Sequence, residues 1–229
     1  MTGEPSQLHT WSHFQNRATE VFRANHPRLR FLLRTARRLV GGDGGTLLDV
    51  GVGDGYLELL AQDRGWKVRA IDPDAPAVDR LRQQGIDAVA GSIAALPFAS
   101  EEFDVVITSE VLEHLTSNER QRGLAEVARV LKPGGYLIGS VPYREDLQMN
   151  TDVCPNCQHV FHRWGHTTSF DLDDVRKLLS THFTVTTCRQ TAFVEFTGPW
   201  RARFVSMARL AGAKLGMGSP SIFFVARKK

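Results

Sequence analysis

Cysteine is scarce in this 229-residue chain, three in all, and an odd count offers no disulfide framework of the kind that staples small secreted domains. No apolar run approaches the roughly 20 residues needed to span a bilayer. The stretch from Met1 to His13 is polar and has no apolar centre, so it does not read as a signal peptide. These absences point to the cytoplasm. A strong charge imbalance is missing too, and a net charge of +3 does not demand a nucleic-acid partner. Internal repeats and low-complexity tracts are absent. What remains is ordinary for a globular protein, with 42% hydrophobic and 23% charged residues and enough length for one domain with a large core and a few insertions.

The charge is unevenly spread. Arg17, Arg23, Arg28, Arg30, Arg34, Arg37 and Arg38 face a single acid, Glu20, and the tail from Trp200 to Lys229 has basic residues and no acid. Such surfaces attract phosphate, carboxylate or lipid headgroups, although a solvated helix face is the simpler reading.

Residues 1–10 read as a frayed leader. Trp11 to Val40 reads as one or two amphipathic helices, with Phe14, Ala18, Val21 and Phe22 on one face and a break at His26-Pro27. Gly41 to Gly45 is a flexible stop. Strands are then expected over Thr46–Val50, Lys67–Ile71, Ile86–Ala90, Asp104–Thr108 and Tyr136–Val141, alternating with helices over Tyr56–Arg64, Ala75–Gln84 and Glu119–Val130. Alternation of this kind means parallel β-α-β units in a doubly wound α/β sheet. It stops at Pro142, where residues 143–170, rich in Cys, His, Asn and Trp, form an insertion. A helix over Asp171–Ser180 with Asp171 as N-cap, a strand over Phe183–Arg189, a helix over Trp200–Leu215 and a strand over Ser221–Arg227 complete the chain. The organisation is therefore a helical cap over 1–40 and a main domain over 41–229 that carries the 143–170 insertion.

Ligands of open α/β sheets bind beyond the carboxyl ends of the strands, where the strand order reverses. Four segments fall there. In Leu47-Leu48-Asp49-Val50-Gly51-Val52-Gly53-Asp54-Gly55 an apolar strand runs into an acid and three alternating glycines, a turn that lets backbone approach a ligand closely. Asp49 can accept hydrogen bonds from the turn or from a ligand ammonium group. Asp72 closes the second strand, where a carboxylate can take two ribose hydroxyls in a fork. Gly91-Ser92-Ile93 follows the third strand. The fourth segment, Phe103 to Leu115, leads through a helix to Leu131-Lys132-Pro133-Gly134-Gly135.

The order LDVGVGDG, ID, GSIAALPF, FDVVITSEVLEHL, LKPGGYLIGSVP resembles the small-molecule class I S-adenosylmethionine-dependent methyltransferases from about residue 46 to 142. The resemblance implies a seven-stranded, mostly parallel Rossmann-like sheet whose last strand is antiparallel. It implies S-adenosylmethionine as cofactor, with Asp49, Gly51 and Gly53 around its methionine part and Asp72 on its ribose. Ile93 would lie along the adenine, and Ser109 or Glu110 would border the methionine end. Relatives often have Asp where this chain has Ser92, which makes the adenine amino contact the weakest of the set. A nicotinamide dehydrogenase would want GxGxxG and leaves the LKPGGYL turn unexplained.

Methyl transfer from a sulfonium is an in-line displacement that rests mainly on alignment. If the acceptor must lose a proton, His114 is the base best placed by sequence, although a Glu-His pair here commonly begins the next helix in this family. Glu113 reads as structural.

In the insertion, Cys154, Cys157, His162 and His166 give the spacing C-x2-C-x4-H-x3-H, which suits a structural, closed tetrahedral Zn2+ site. His159 could replace either histidine. A surface loop, a reducible cysteine pair, or a catalytic zinc with three ligands are the alternatives. Similar CPxC…FH…GH…SFD insertions occur in bacterial methyltransferases, so the resemblance extends to about Asp171. In the family, the N-terminal helix and the segment after the fifth strand cover the acceptor. Here these bring Trp11, Phe14, Phe22, Tyr143, Phe161, Trp164, Phe193, Phe196 and Trp200 with interspersed arginines, walls suited to a partly apolar acceptor bearing an anion. The expectation is methyl transfer to a small molecule, a sugar or biosynthetic intermediate. RNA modification and a non-catalytic cofactor- or zinc-binding module are the alternatives. The helix from Trp200 could also rest on a membrane surface, which is not favoured.

Overall fold

The computed structural model describes residues 8–17, 20–194, 205, 207–208, 210–212 and 220–229. The helix expected over Trp200–Leu215 lies largely outside these residues, as do most of the leader, Ala18 and the side chains of Trp11, Phe196 and Trp200.

Two strands make the centre of the sheet, β1 (Gly45–Val50) and β4 (Phe103–Ser109), paired in parallel from Leu47↔Val105 to Val50↔Thr108. Their side chains are apolar on both faces, as parallel strands covered on both sides require. Leu48, Val50 and Val106 pack on one face with α6 (Ser117–Val130) and α7 (Leu172–Ser180). Leu47, Val105 and Ile107 pack on the other with α3 (His26–Val40) and α4 (Tyr56–Gln62). Outward from β1 come β2 (Trp66–Asp72) and β3 (Asp87–Ala90), with α5 (Ala75–Gln83) between them in sequence. On the other side come β5 (Leu131–Pro142), then β9 (Ser221–Lys228), then β8 (Phe183–Thr191). β9 is antiparallel to both of its neighbours. The expected doubly wound, seven-stranded, mostly parallel sheet with an antiparallel last strand is the observed one.

Local chemistry explains the element ends. Pro27 stands in the first turn of α3, where a missing N–H does no harm, and Gly41 ends the helix at φ 87° while its N–H bonds to Arg37 O. α6 begins at Ser117, two residues before the apolar pattern suggests, because Thr116 and Glu119 form a reciprocal capping box. Asp171 caps α7 in the same way with Asp174, as expected. β5 begins five residues early because Leu131 already pairs with Phe103; the ladder slips across the Lys132-Pro133-Gly134-Gly135 turn and resumes at Val105↔Tyr136.

Two further helices, α1 (Leu8–Arg17) and α2 (Glu20–Arg23), lie before α3. α3 buries Leu32, Leu33 and Ala36 in the sheet's own core, and α1 and α2 lie over the ends of the strands. The insertion is not irregular throughout. It forms a small hairpin, β6 (Thr151–Val153) with β7 (Val160–His162), and its two ends are pinned by a parallel bridge between Tyr143 and Phe170. Among the described residues no helix is long and apolar enough to cross a membrane.

At Gly139 the sheet has no room for a side chain: a Cβ there would stand 2.3 Å from Thr108 O and 2.5 Å from a Phe224 ring carbon. Gly139→Ala should therefore cost about 1–3 kcal/mol of stability, the range for overpacking a tight interior. Denaturant unfolding should show a lower midpoint at unchanged slope, and an unshifted midpoint would contradict this packing.

Candidate active site

The glycine turn closes β1 against β2. Gly51 N–H bonds to Ile71 O at 2.9 Å, and Gly51, Gly53 and Gly55 take φ of 90°, 51° and 86°. A side chain would be strained in this left-handed region. At Gly51 it would also meet Val111, whose methyl lies 2.8 Å from the Cβ position, so the loop after β4 passes directly over the turn. Asp72, buried at the end of β2, accepts from the N–H groups of Val52 at 2.9 Å and Asp74 at 2.8 Å. Burial raises its pKa, and these hydrogen bonds hold the rise down. Asp49 faces Glu58 from α4, and both are buried. Burial pushes the Asp49 carboxyl up to about 8 and raises Glu58 well above the usual carboxylate range, so the pair retains a proton at neutral pH.

The cap lies on this ground. Gln15 Nε2 donates to Asp72 Oδ2 at 3.0 Å, and Asn16 Nδ2 donates to Asp74 Oδ2 at 2.7 Å. Arg80 ties the two layers together, donating to Gln15 O, to Asn16 Oδ1 and to Gly53 O. The Phe22 ring lies 3.2 Å from the position a Cβ on Gly53 would occupy. His26 bonds Asp54 at 2.7 Å and stacks on Tyr56, and Arg28 donates to Ser109 Oγ at 2.9 Å. Gln15 thus stands in the carboxylate fork where ribose hydroxyls are expected.

Beyond β4, Glu110 bonds to β5 twice: its N–H to Ser140 O at 2.9 Å, and its Oε1 from Ser140 Oγ at 2.7 Å. A short 3-10 turn, Leu112–His114, follows, and the insertion docks along it. Thr167 N–H donates to Glu113 O at 2.8 Å, and His114 Nδ1 faces Gly165 O at 3.2 Å. His166 packs edge-on against His114, with centroids 4.6 Å apart, and its Nδ1 is hydrogen-bonded to Glu145 Oε2. His162 stacks on His166 and brings Nε2 to 3.5 Å from Glu145 Oε1. Burial, with the two neighbouring imidazoles, pulls the His114 pKa down to about 3. The ring is therefore neutral at physiological pH. Burial would raise Glu145, but the hydrogen bond to His166 outweighs it and lowers its pKa. Burial and the charge of Glu110 raise Glu113. The rings of Phe14 and Trp164, 5.3 Å apart, join cap to insertion over this end of the sheet.

The sequence profile described as "Methyltransferase domain" matches residues 48–139, the stretch that contains the glycine turn, Asp72 and the turn after β4. A Mycolicibacterium smegmatis protein described as "Probable S-adenosylmethionine-dependent methyltransferase" is 34% identical over 129 residues, 56% of this chain and 48% of that protein. Over residues 48–139 the chain is thus similar to the S-adenosylmethionine-dependent methyltransferases. Mouse "Probable tRNA methyltransferase 9B" is 31% identical over 180 residues, 71% of this chain and 38% of that protein. The chain thus spans less than half the length of either relative. In fold it matches Burkholderia thailandensis 1,6-didemethyltoxoflavin-N1-methyltransferase, solved with its substrate and S-adenosylhomocysteine, at a TM-score of 0.67 and 18% identity over 97% of this chain and 87% of that one.

Asp49, Gly51, Gly53, Asp72, Ser109 and Glu110 stand at the carboxyl ends of β1, β2 and β4. Ser92 caps its own short turn by accepting from Ala94 N–H, and Ile93 is buried against Gly123 of α6. The four expected zinc ligands are not gathered. Cys154 and Cys157 occupy the turn between β6 and β7, whereas His162 pairs with Thr151 at the hairpin's other end. At roughly 3.3 Å per residue the hairpin itself separates them by about 10 Å. Among the described residues, the groups whose ligand atoms lie within 4.8 Å of one another are Glu113–His114–His166 and Glu145–His162–His166, neither with a cysteine. Sequence reasoning missed Gln15, Arg28, Glu58, Arg80 and Glu145. Each is a common polar residue with no motif of its own, and all but Glu58 come from distant segments.

The acid pair at the turn gives a pH dependence. Asp49 titrates near 8 in the folded chain, against an ordinary 3.8. Between those limits the folded state binds more protons than the unfolded state, so stability falls as pH rises from 3.8 towards about 8. Asp49→Asn removes this loss. Relative to the natural protein the variant should gain more stability at about pH 8 than at about pH 5, read by denaturant unfolding. Equal differences at both would show that Asp49 is not held protonated.

Proposed function

We propose that this methyltransferase transfers the methyl group of S-adenosylmethionine to a small-molecule acceptor, a sugar or biosynthetic intermediate, in the cytoplasm. The observation that carries the reading is the enclosure: cap and insertion meet through Phe14 and Trp164 over the end of the sheet that holds the glycine turn, Asp72 and Glu110. When bound, the cofactor supplies an electrophilic methyl group on a sulfonium. Asp49, buried beside the turn, offers its carboxyl to the cofactor's ammonium group. Asp72 takes the ribose hydroxyls once Gln15 yields its place. Ser92 and Ile93 fall to the adenine side, Ser109 and Glu110 to the methionine end. Alignment within a site closed to water is the main catalytic resource, on the order of 7 kcal/mol in favourable cases.

RNA modification is the second reading, since the mouse relative carries a tRNA methyltransferase description. Against it, the arginines that suggested a basic grip are partly engaged within the chain. Arg28 bonds Ser109, Arg30 reaches Tyr56, and Arg37 pairs with Asp43.

The test is label transfer from methyl-tritiated S-adenosylmethionine into fractionated cell extract, with Asp72→Ala beside the natural protein. Loss of the ribose contacts should weaken cofactor binding about 10- to 100-fold, the worth of one or two hydrogen bonds to a charged group. Label in a small-molecule fraction, absent with the variant, supports the reading. Label in RNA, with salt-sensitive RNA binding, replaces it with the second. Tight cofactor binding without label in any fraction would favour a non-catalytic module.

A further inference from the structure

Glu113 is fully buried, and neither of its carboxylate oxygens has a hydrogen-bond partner. Buried polar groups are normally satisfied, and a carboxyl with nothing to bond calls for an explanation. Its surroundings hold one. His114 Nε2 lies 3.9 Å from Glu113 Oε1, and the ligand atoms of Glu113, His114 and His166 all lie within 4.8 Å of one another.

The hydrogen bonds behind the two rings settle their tautomers. Gly165 O can only accept, so His114 Nδ1 donates to it and the lone pair is on Nε2. A carboxylate accepts, so His166 Nδ1 donates to Glu145, and in the neutral ring the lone pair is on Nε2. An imidazole whose far nitrogen donates to a carbonyl or carboxylate is the arrangement that orients metal-bound histidines. Glu145 is itself steadied by Asn150 Nδ2 at 2.8 Å. His162 differs. Its Nδ1 accepts from the N–H groups of Trp164 and His166, so its proton is on Nε2, turned to Glu145. It supports Glu145 and has no lone pair to give an ion.

We propose that Glu113, His114 and His166 form a divalent-cation site, with Glu145 as the carboxylate that orients His166. Two imidazoles and one carboxylate suit Zn2+, Mn2+, Fe2+ or Co2+ rather than Ca2+ or Mg2+, which prefer oxygen throughout. A tetrahedral ion with bonds of about 2.1 Å holds its ligand atoms about 3.4 Å apart, so His114 and Glu113 need to close by only a fraction of an ångström. The ion would answer the orphaned carboxyl. Three protein ligands leave a coordination position for an oxygen or nitrogen of the acceptor. That consequence rests on the methyl-transfer reading; ion binding does not, and is measured without turnover.

The experiment is titration of the full chain, stripped with chelator, with Zn2+ by calorimetry and with Co2+ by visible absorption. One equivalent should bind, without the intense thiolate-to-metal absorption that cysteine ligands give. Glu113→Gln and His166→Ala should each lose binding by at least about 100-fold, and Glu145→Gln should weaken it about 10- to 100-fold. The double change Cys154→Ser with Cys157→Ser should bind as the natural chain does. Should Glu113→Gln fail to fold, nitrogen NMR of the natural chain decides instead, because Zn2+ must shift the Nε2 signals of His114 and His166. Failure of the folded chain to take up an ion, retention by His166→Ala, or loss from the cysteine double variant would each overturn the assignment.

Discussion

Parallel pairing of β1 with β4 buries both strands on both faces, and whatever polar chemistry the fold carries is thereby pushed to their carboxyl ends. Asp49, Asp72 and Glu110 stand there because the strands stop there. The same pairing explains why the turn after β1 needs glycine, since Val111 from the loop after β4 comes down on it. One register therefore supplies both the ligand-binding turn and the ceiling above it.

Over that ceiling the chain closes from two sides. From the N-terminal side, α1 gives Gln15 and Asn16 to Asp72 and Asp74, and Arg80 reaches back to bind the cap to the glycine turn. From the other side the insertion hangs on the Leu112–His114 turn through Thr167 and Gly165. Gln15 uses the carboxylate that a ribose would use. On the proposed reading, closure by the cap and occupation by the cofactor would draw on one set of hydrogen bonds, and Gln15 would have to give way. The cap meets the body through the polar contacts of Gln15 and Asn16 and the rings of Phe14 and Phe22, while α3 behind it is locked into the sheet's core.

Burial also sets the acid–base state of the site. Asp49, Glu58 and Glu113 sit where a carboxylate is poorly solvated, and each is driven towards its protonated form. His114 is driven in the opposite direction for the same reason, since burial disfavours its cation. Glu145 remains an anion because His166 is bonded to it. Glu145 thus stays a carboxylate at the edge of the site, and it is the acceptor for His166 Nδ1.

The sequence by itself determined the doubly wound sheet, its strand and helix order, the glycine turn and the acids at the strand ends. These follow from local rules: apolar runs of strand length, capping residues such as Asp171, and backbone angles that glycine adopts readily. Tertiary structure alone decided who meets those acids. Gln15 reaches Asp72 from 57 residues away, and Glu145 meets His166 from 21 residues away through a docked loop. It also parted Cys154 and Cys157 from His162 and His166, which spacing had joined. Spacing along a chain does not say whether the intervening residues turn back or run out as a hairpin. Here they run out, and the two histidines find their partners in a glutamate and a turn that no linear pattern marks.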